Sequence, residues 1–209
     1  MVERRAAALA GLLALSLVCA TGAFAQVTVS AGFALSSLSG VEMEGHTADV
    51  NGKVGVGGNL FVDYLLPISI PLSLGFEVGV DSGSIEEKSG DFEDTVIAIP
   101  LLLRAAYHFD LMPKLDLYLV GKIGYVPGIW KGDTKDALES IGVDIGTIGG
   151  VGFGFDLGVA YYFNSKLGLF GEGGFDAYLL RSKISDSTFS ATLKAPFYRF
   201  LTIGVSGKF

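Results

Sequence analysis

Val151-Gly152-Phe153-Gly154-Phe155-Asp156-Leu157-Gly158-Val159-Ala160-Tyr161-Tyr162-Phe163 alternates without a break. Its odd positions are all apolar or aromatic, and its even positions are Gly, Asp, Ala and Tyr. A period of two puts the two sets on opposite faces of a strand. The same alternation recurs in seven other stretches: Val27 to Leu35, Val54 to Tyr64, Leu72 to Val80, Ile97 to Phe109, Leu115 to Tyr125, Leu167 to Leu179 and Leu201 to Phe209. No helical period competes with it after Gln26. The reading is eight strands of roughly 9–13 residues, the length of a tilted strand crossing a bilayer.

Composition narrows the class. Of 209 residues, 50% are hydrophobic and 18% charged, which excludes a disordered chain. One cysteine cannot make an internal disulfide. The balance of 15 basic against 22 acidic residues argues against nucleic-acid binding. A hydrophobic chain without spanning helices has one other route across a membrane, the closed barrel.

The single helix-length apolar segment is N-terminal and reads as an address. Arg4 and Arg5 precede the apolar run Ala6 to Val18, and Ala23-Phe24-Ala25 is a small-residue cleavage site. The expected organisation is a signal peptide over residues 1–25 and a barrel over residues 26–209. A retained anchor fits less well, because the apolar run is short for a span. A lipid anchor on Cys19 fits less well too, because Ser16-Leu17-Val18 lacks the small residue wanted just before the cysteine. Cleavage leaves an acidic chain without cysteine, suited to an oxidising compartment.

Alternation alone does not separate a membrane barrel from a soluble lipocalin-like one, whose apolar face points inward. Three further features favour the membrane barrel. Joins near Leu66–Ile70, Asp110–Lys114 and Asn164–Lys166 are short, whereas those near Ser39–Gly52, Ser82–Asp94, Trp130–Gly149 and Ser182–Pro196 are long and mostly polar. Short periplasmic turns and long external loops are the outer-membrane pattern. Aromatics close the apolar faces at the short-turn end: Tyr64, Tyr107 with Phe109, Tyr161 with Phe163, and Phe209. These form an expected periplasmic girdle, with a vaguer outer one of Tyr125, Trp130, Phe175 and Phe197. Finally, Leu201, Ile203, Val205 and Phe209 end the chain on an apolar alternation with a C-terminal aromatic, as an insertion signal would.

The whole stretch after the signal resembles the eight-stranded outer-membrane β-barrel family (porin family), the group of OmpX and the OmpA transmembrane domain. Ile99-Pro100-Leu101-Leu102-Leu103-Arg104 followed by Tyr107-His108-Phe109 resembles a strand common among its members. The resemblance implies an all-β, antiparallel, up-and-down transmembrane barrel in the outer membrane of a double-membraned bacterium. It also implies outer-membrane lipid as the surroundings, and insertion machinery with periplasmic chaperones during biogenesis. Pro100 predicts a bulge or broken ladder, because a closed barrel has no free edge for a residue without N–H.

The polar faces then line a lumen with little room beyond side chains. They carry Asp63, Glu77, Asp81, Arg104, Asp116, Lys122, Asp156, Glu172 and Asp176. Pairing the strands through their short turns puts Glu77, Arg104, Lys122, Asp156 and Glu172 at similar depth, so an ion-pair network is expected across the middle, as a polar plug or as a gate. Inward glycines (Gly55, Gly57, Gly75, Gly152, Gly154, Gly158, Gly174) leave room for larger neighbours or for small cavities.

Catalytic signals are weak. His108 should face the lumen near the periplasmic end, and His46 lies in the first long loop with Glu42, Glu44 and Asp49, which would suit a metal or imitate a lipid-modifying site. Neither spacing demands chemistry, so no enzyme, metal or cofactor is expected. A single helical turn is expected around Asp136–Ser140, begun by Thr134. The functional expectation is a monomeric, plugged barrel acting in envelope integrity or in adhesion to an extracellular partner through its loops. The alternative is an OmpW-like passive channel for small apolar solutes. The upper interior separates them: charged and filled for the plug, apolar and hollow for the channel.

Overall fold

The computed structural model describes residues 26–209 except 40–41, 44–45, 48–49, 88–92, 141, 143 and 186–189, so the N-terminal address and its cleavage site lie outside the described residues. Eight staves close into one antiparallel barrel. They are β1 (Val27–Leu38), β4 (Val50–Leu65), β5 (Leu72–Glu87), the pair β6 (Glu93–Ala98) and β7 (Leu101–Met112), β8 (Leu115–Gly132), β10 (Ile148–Tyr162), β11 (Leu167–Ser185) and β12 (Ser190–Lys208). Short strands β2 (Glu42–Met43), β3 (His46–Thr47) and β9 (Asp144–Ile145) decorate the long-loop end, together with the helix α1 (Asp133–Ser140). The order is up-and-down, and β1 pairs with β12 from Thr28↔Lys208 to Leu38↔Phe197 to close the ring. At the seam Val27 and Phe209 exchange backbone hydrogen bonds at 3.1 and 2.8 Å.

Side-chain polarity separates the two barrel types. From Val151 to Phe163 the odd residues are exposed and the even ones are inside, most of them buried. Phe33 is 78% exposed, Phe155 62% and Ile203 55%, whereas Glu77, Arg104 and Glu172 are at most 2% exposed. The apolar face is therefore the outer one. In water this face would be a continuous apolar band around the whole barrel, larger than the patches of a few hundred Å² that soluble monomers expose; a membrane barrel buries it in lipid.

The predicted break at Pro100 is present. β6 and β7 form one stave interrupted at Ile99 and Pro100. The wall stays stitched there by Gly79 N–H donating to the Pro100 carbonyl (3.1 Å) and Ile99 N–H to that of Pro127 (2.8 Å).

Strand length corrects the expectation. β4 and β5 have 16 residues, β8 has 18, and β11 and β12 have 19 each. Much of what reads as long polar loop at Ser82–Asp94 and Ser182–Pro196 is ladder, with Val50↔Glu87 and Ser185↔Ser190 at its upper limits. Polar residues pair as well as apolar ones once both faces of a hairpin meet water. Lys53 reaches Glu86 (2.9 Å) and Glu93 (3.2 Å) across these extensions, and hydrogen bonds to the two glutamates raise its ammonium pKa above the ordinary lysine value. The helix is likewise longer than one turn. At the opposite end, Asn164 Oδ1 accepts from the N–H groups of Lys166 and Leu167 and makes the tight turn.

Candidate functional site: the filled lumen

Three layers cross the interior. The outermost is apolar: Leu38, Ile85, Val96, Leu102, Val126, Trp130, Ile148, Tyr178, Leu180 and Phe197 are among its members. Tyr178 and Phe197 stack with ring centroids 5.6 Å apart at 12°. Trp130 and Phe197 therefore do not belong to an outer aromatic girdle; they fill the upper barrel. Tyr125 and Phe175 do face outward, 55% and 54% exposed. The upper interior is apolar and filled, a combination outside both sequence-derived alternatives.

The middle layer is ionic. Glu77, Arg104, Lys122, Asp156 and Glu172 all meet in it. Arg104 donates to Glu77 (2.7 Å), to both carboxylate oxygens of Glu172 (3.2 and 2.5 Å) and to Asp63 (3.3 Å). Its guanidinium lies 3.8 Å from the Phe61 ring centroid, a cation–π geometry. Lys122 reaches Asp156 (2.5 Å), Glu172 (3.0 Å) and Asp176 (3.2 Å). The hydroxyls of Tyr118 and Tyr178 donate to Glu172 (3.1 Å) and Asp81 (3.0 Å), and the Asn59 amide donates to Glu77 (3.1 Å).

Arg199 completes this layer and is invisible to the two-residue period. Its Nε donates to Asp176 (2.8 Å) and its Nη2 pairs with Glu77 (2.5 Å). Counting back from Leu201 puts position 199 on the lipid face. A bulge intervenes: Leu35 pairs with Leu201 but Ser36 pairs with Arg199, so Phe200 is skipped. Phe200 and Leu201 both face outward, and every residue above them changes face. The adjacent apolar pair Phe200-Leu201 is the available signal.

Glycine makes the layer fit. Gly57 pairs with Asp81, Gly75 with Asp63, Gly154 with Asp176 and Gly174 with Asp156. In each pair the aspartate carboxylate lies against the glycine backbone, where a Cβ would collide with its Oδ1. Gly158 likewise receives the Tyr118 ring. We expect Gly154→Ala to lower stability by about 1–3 kcal/mol, because it displaces Asp176 from Lys122 and Arg199. Gly173→Ala, which meets nothing within 4 Å, should be neutral or slightly stabilising. Urea midpoints in detergent read both, and equal effects would sink the packing account.

The innermost layer is aromatic, with Phe61, Tyr118, Tyr162 and Phe170; Phe61 and Phe170 meet edge-to-face at 5.1 Å. Beneath it a vestibule of about 430 Å³ opens at the short turns, lined in part by Pro71, Ser73, His108, Lys114, Asp116 and Lys208. His108 faces this space as expected. The side chains of Glu42, Glu44, His46 and Asp49 lie outside the described residues.

Tyr64, Tyr107, Phe109, Tyr161, Phe163 and Phe209 sit at the short-turn end. Tyr107 packs on Phe109 and Tyr161 on Phe163, edge to face at 5.0 and 5.8 Å. Leu201, Ile203, Val205 and Phe209 all point outward.

The outer membrane protein beta-barrel domain matches residues 6–209. The chain belongs to that family. As an outer membrane β-barrel protein its place is the outer membrane, with lipid against the exposed apolar face. No curated protein matches it. Among solved structures, OprG from Pseudomonas aeruginosa is 13% identical, covering 88% of this chain and 95% of its own, with a TM-score of 0.57. A major outer membrane protein from Thermus thermophilus is 17% identical over 90% and 100%, at 0.54. Outer Membrane Protein W of E. coli is 15% identical over 90% and 100%, at 0.50. At these identities the likeness is one of fold.

Proposed function

We propose that this outer membrane β-barrel protein is a closed barrel that works through its outer surface, in envelope integrity or in contact with a partner outside the cell. The observation that carries this reading is the stacking of a filled apolar layer on a filled ionic layer, each spanning the lumen. A solute moving along the axis would have to displace Phe197, Trp130 and Tyr178 and then break the bonds of Arg104. We read it as a monomer, a reading supported by the closure of the ring at β1 and β12, which leaves no free sheet edge for a second copy to extend. The apolar C-terminal strand ending at Phe209 serves as its insertion signal, and Tyr64, Tyr107, Phe109, Tyr161 and Phe163 seat it at the inner interface.

A second reading rests on a different observation. The upper interior is apolar beside a stave interrupted at Ile99 and Pro100, which suits small apolar solutes leaving sideways into lipid. Planar-bilayer recording of the purified protein tests the first reading. Silence or rare small openings are expected. Stable channels altered by Glu77→Gln would overturn it. Retarded growth of a deletion strain on an apolar carbon source, restored by the protein, would favour the second.

A further inference from the structure

The vestibule holds an arrangement that the lumen plug does not require. Ser73 Oγ lies 2.9 Å from His108 Nε2, and His108 Nδ1 lies 2.9 Å from Asp116 Oδ1. The partners assign the protons. A carboxylate only accepts, so Nδ1 carries the hydrogen in the neutral ring, and Nε2 presents its lone pair to the serine hydroxyl. That is the polarity of a nucleophile, its base and the base's orienting group.

The three side chains come from adjacent staves. Ser73 sits on β5 opposite Ala106, and His108 on β7 opposite Tyr118. Each partner of His108 is therefore two residues along from its cross-strand neighbour, the diagonal spacing at which long side chains on one face meet. The Tyr118 ring lies 5.5 Å from the imidazole, and the backbone N–H of His108 donates to the Pro71 carbonyl (2.8 Å).

All three residues line the 430 Å³ vestibule. A hydrogen-bonded clasp that only tied three strands together would need no such space. The cavity is large enough for a small ligand, with Phe61, Leu115 and Phe170 supplying an apolar part. Lys208 lines the same space, its Nζ 3.6 Å from Asp116 Oδ2 and 3.9 Å from the Tyr162 ring centroid. The backbone amides of the wall are occupied by the ladders, so a side-chain cation is the available counter-charge for an oxyanion.

We propose that the vestibule is a hydrolytic site for short-chain acyl esters entering from the periplasm, with Ser73 as nucleophile, His108 as general base and Asp116 as the positioning residue. Ser73 Oγ bonds to the ester carbonyl carbon while its proton passes to His108 Nε2. The carbon–oxygen bond to the alcohol breaks, and His108 returns that proton to the leaving alcohol. Water then attacks the acyl-serine, giving one proton to His108. The carboxylic acid leaves as that proton returns to Ser73. No electrons change hands.

The test uses the purified full-length protein in detergent, treated with a fluorophosphonate probe and, separately, assayed with 4-nitrophenyl butyrate. Peptide mass spectrometry is expected to place the phosphonyl adduct on Ser73. Ser73→Ala and His108→Ala should abolish labelling and lower hydrolysis about 100-fold or more. Asp116→Asn, folded by heat-shifted gel mobility, should lower the rate and displace its pH profile, which a purely structural role would not do. No adduct on the wild-type protein, an adduct only at another serine, or hydrolysis unchanged in Ser73→Ala would each overturn the proposal. The wild-type labelling needs no variant to fold, and its outcome is independent of whether the lumen conducts.

Discussion

Arg104→Met lowers the unfolding free energy of the barrel by about 3–5 kcal/mol, the usual cost of removing one partner from a buried ion cluster. The expectation rests on a count as well as on distances. Asp63, Glu77, Asp81, Asp156, Glu172 and Asp176 face only Arg104, Lys122 and Arg199 among the described buried residues. Carboxylates are already in excess, so losing Arg104 leaves Glu77 dependent on Arg199 and Glu172 on Lys122, strips Asp63 of its cation and widens the surplus. Methionine keeps much of the volume and supplies no charge. Removing an acid has the opposite logic. Asp63→Asn retains an acceptor for Arg104 Nε (3.3 Å to Asp63 Oδ1 in the native protein) and lowers the surplus, so a change under about 1 kcal/mol is expected. Urea titrations of both variants refolded into phospholipid vesicles make the comparison. Comparable losses for the two would mean that charge balance does not govern the layer.

Phe197→Ala costs a similar amount, about 3–5 kcal/mol, by a different route. Phe197 is fully buried and stacked on Tyr178 in the upper layer. Its removal leaves a cavity between strands that the ladders hold apart, so the wall cannot collapse to fill it. The same variant discriminates between the two layers as seals. The ionic layer below remains intact, so bilayer recordings of Phe197→Ala should stay silent although the protein unfolds more easily. Steady conductance from this variant alone would show that the apolar layer is the only seal, and that the ion pairs leave a path around them.

Much of this molecule was legible before folding. Period-two alternation set the number of staves and the face of nearly every residue from Val151 to Phe163. Short and long joins told the two ends of the barrel apart, and Pro100 marked the break in the wall. The five-residue core of the ionic layer followed from counting along paired strands, because register in a hairpin is a local property. Arg199 did not follow, since one bulge at Phe200 inverts the face of everything above it, and a bulge is a compromise among three neighbouring strands. Trp130 and Phe197 read as interfacial aromatics, because a strand that continues above the membrane keeps its inward face without any change in composition.

The triad-like contact shows the same limit. His108 and Asp116 were separately visible as polar lumen positions, and Ser73 lies on the polar face of the Leu72 to Val80 alternation. Their meeting depends on the diagonal offset between three staves, which tilt and closure decide. The amino-acid sequence by itself determined strand period, polarity and topology, since these rest on each residue's neighbours along the chain and on the solvent each face must meet. Only the tertiary structure decided which inward side chains share a depth, because that depends on bulges and on the closed ring that brings β1 to β12.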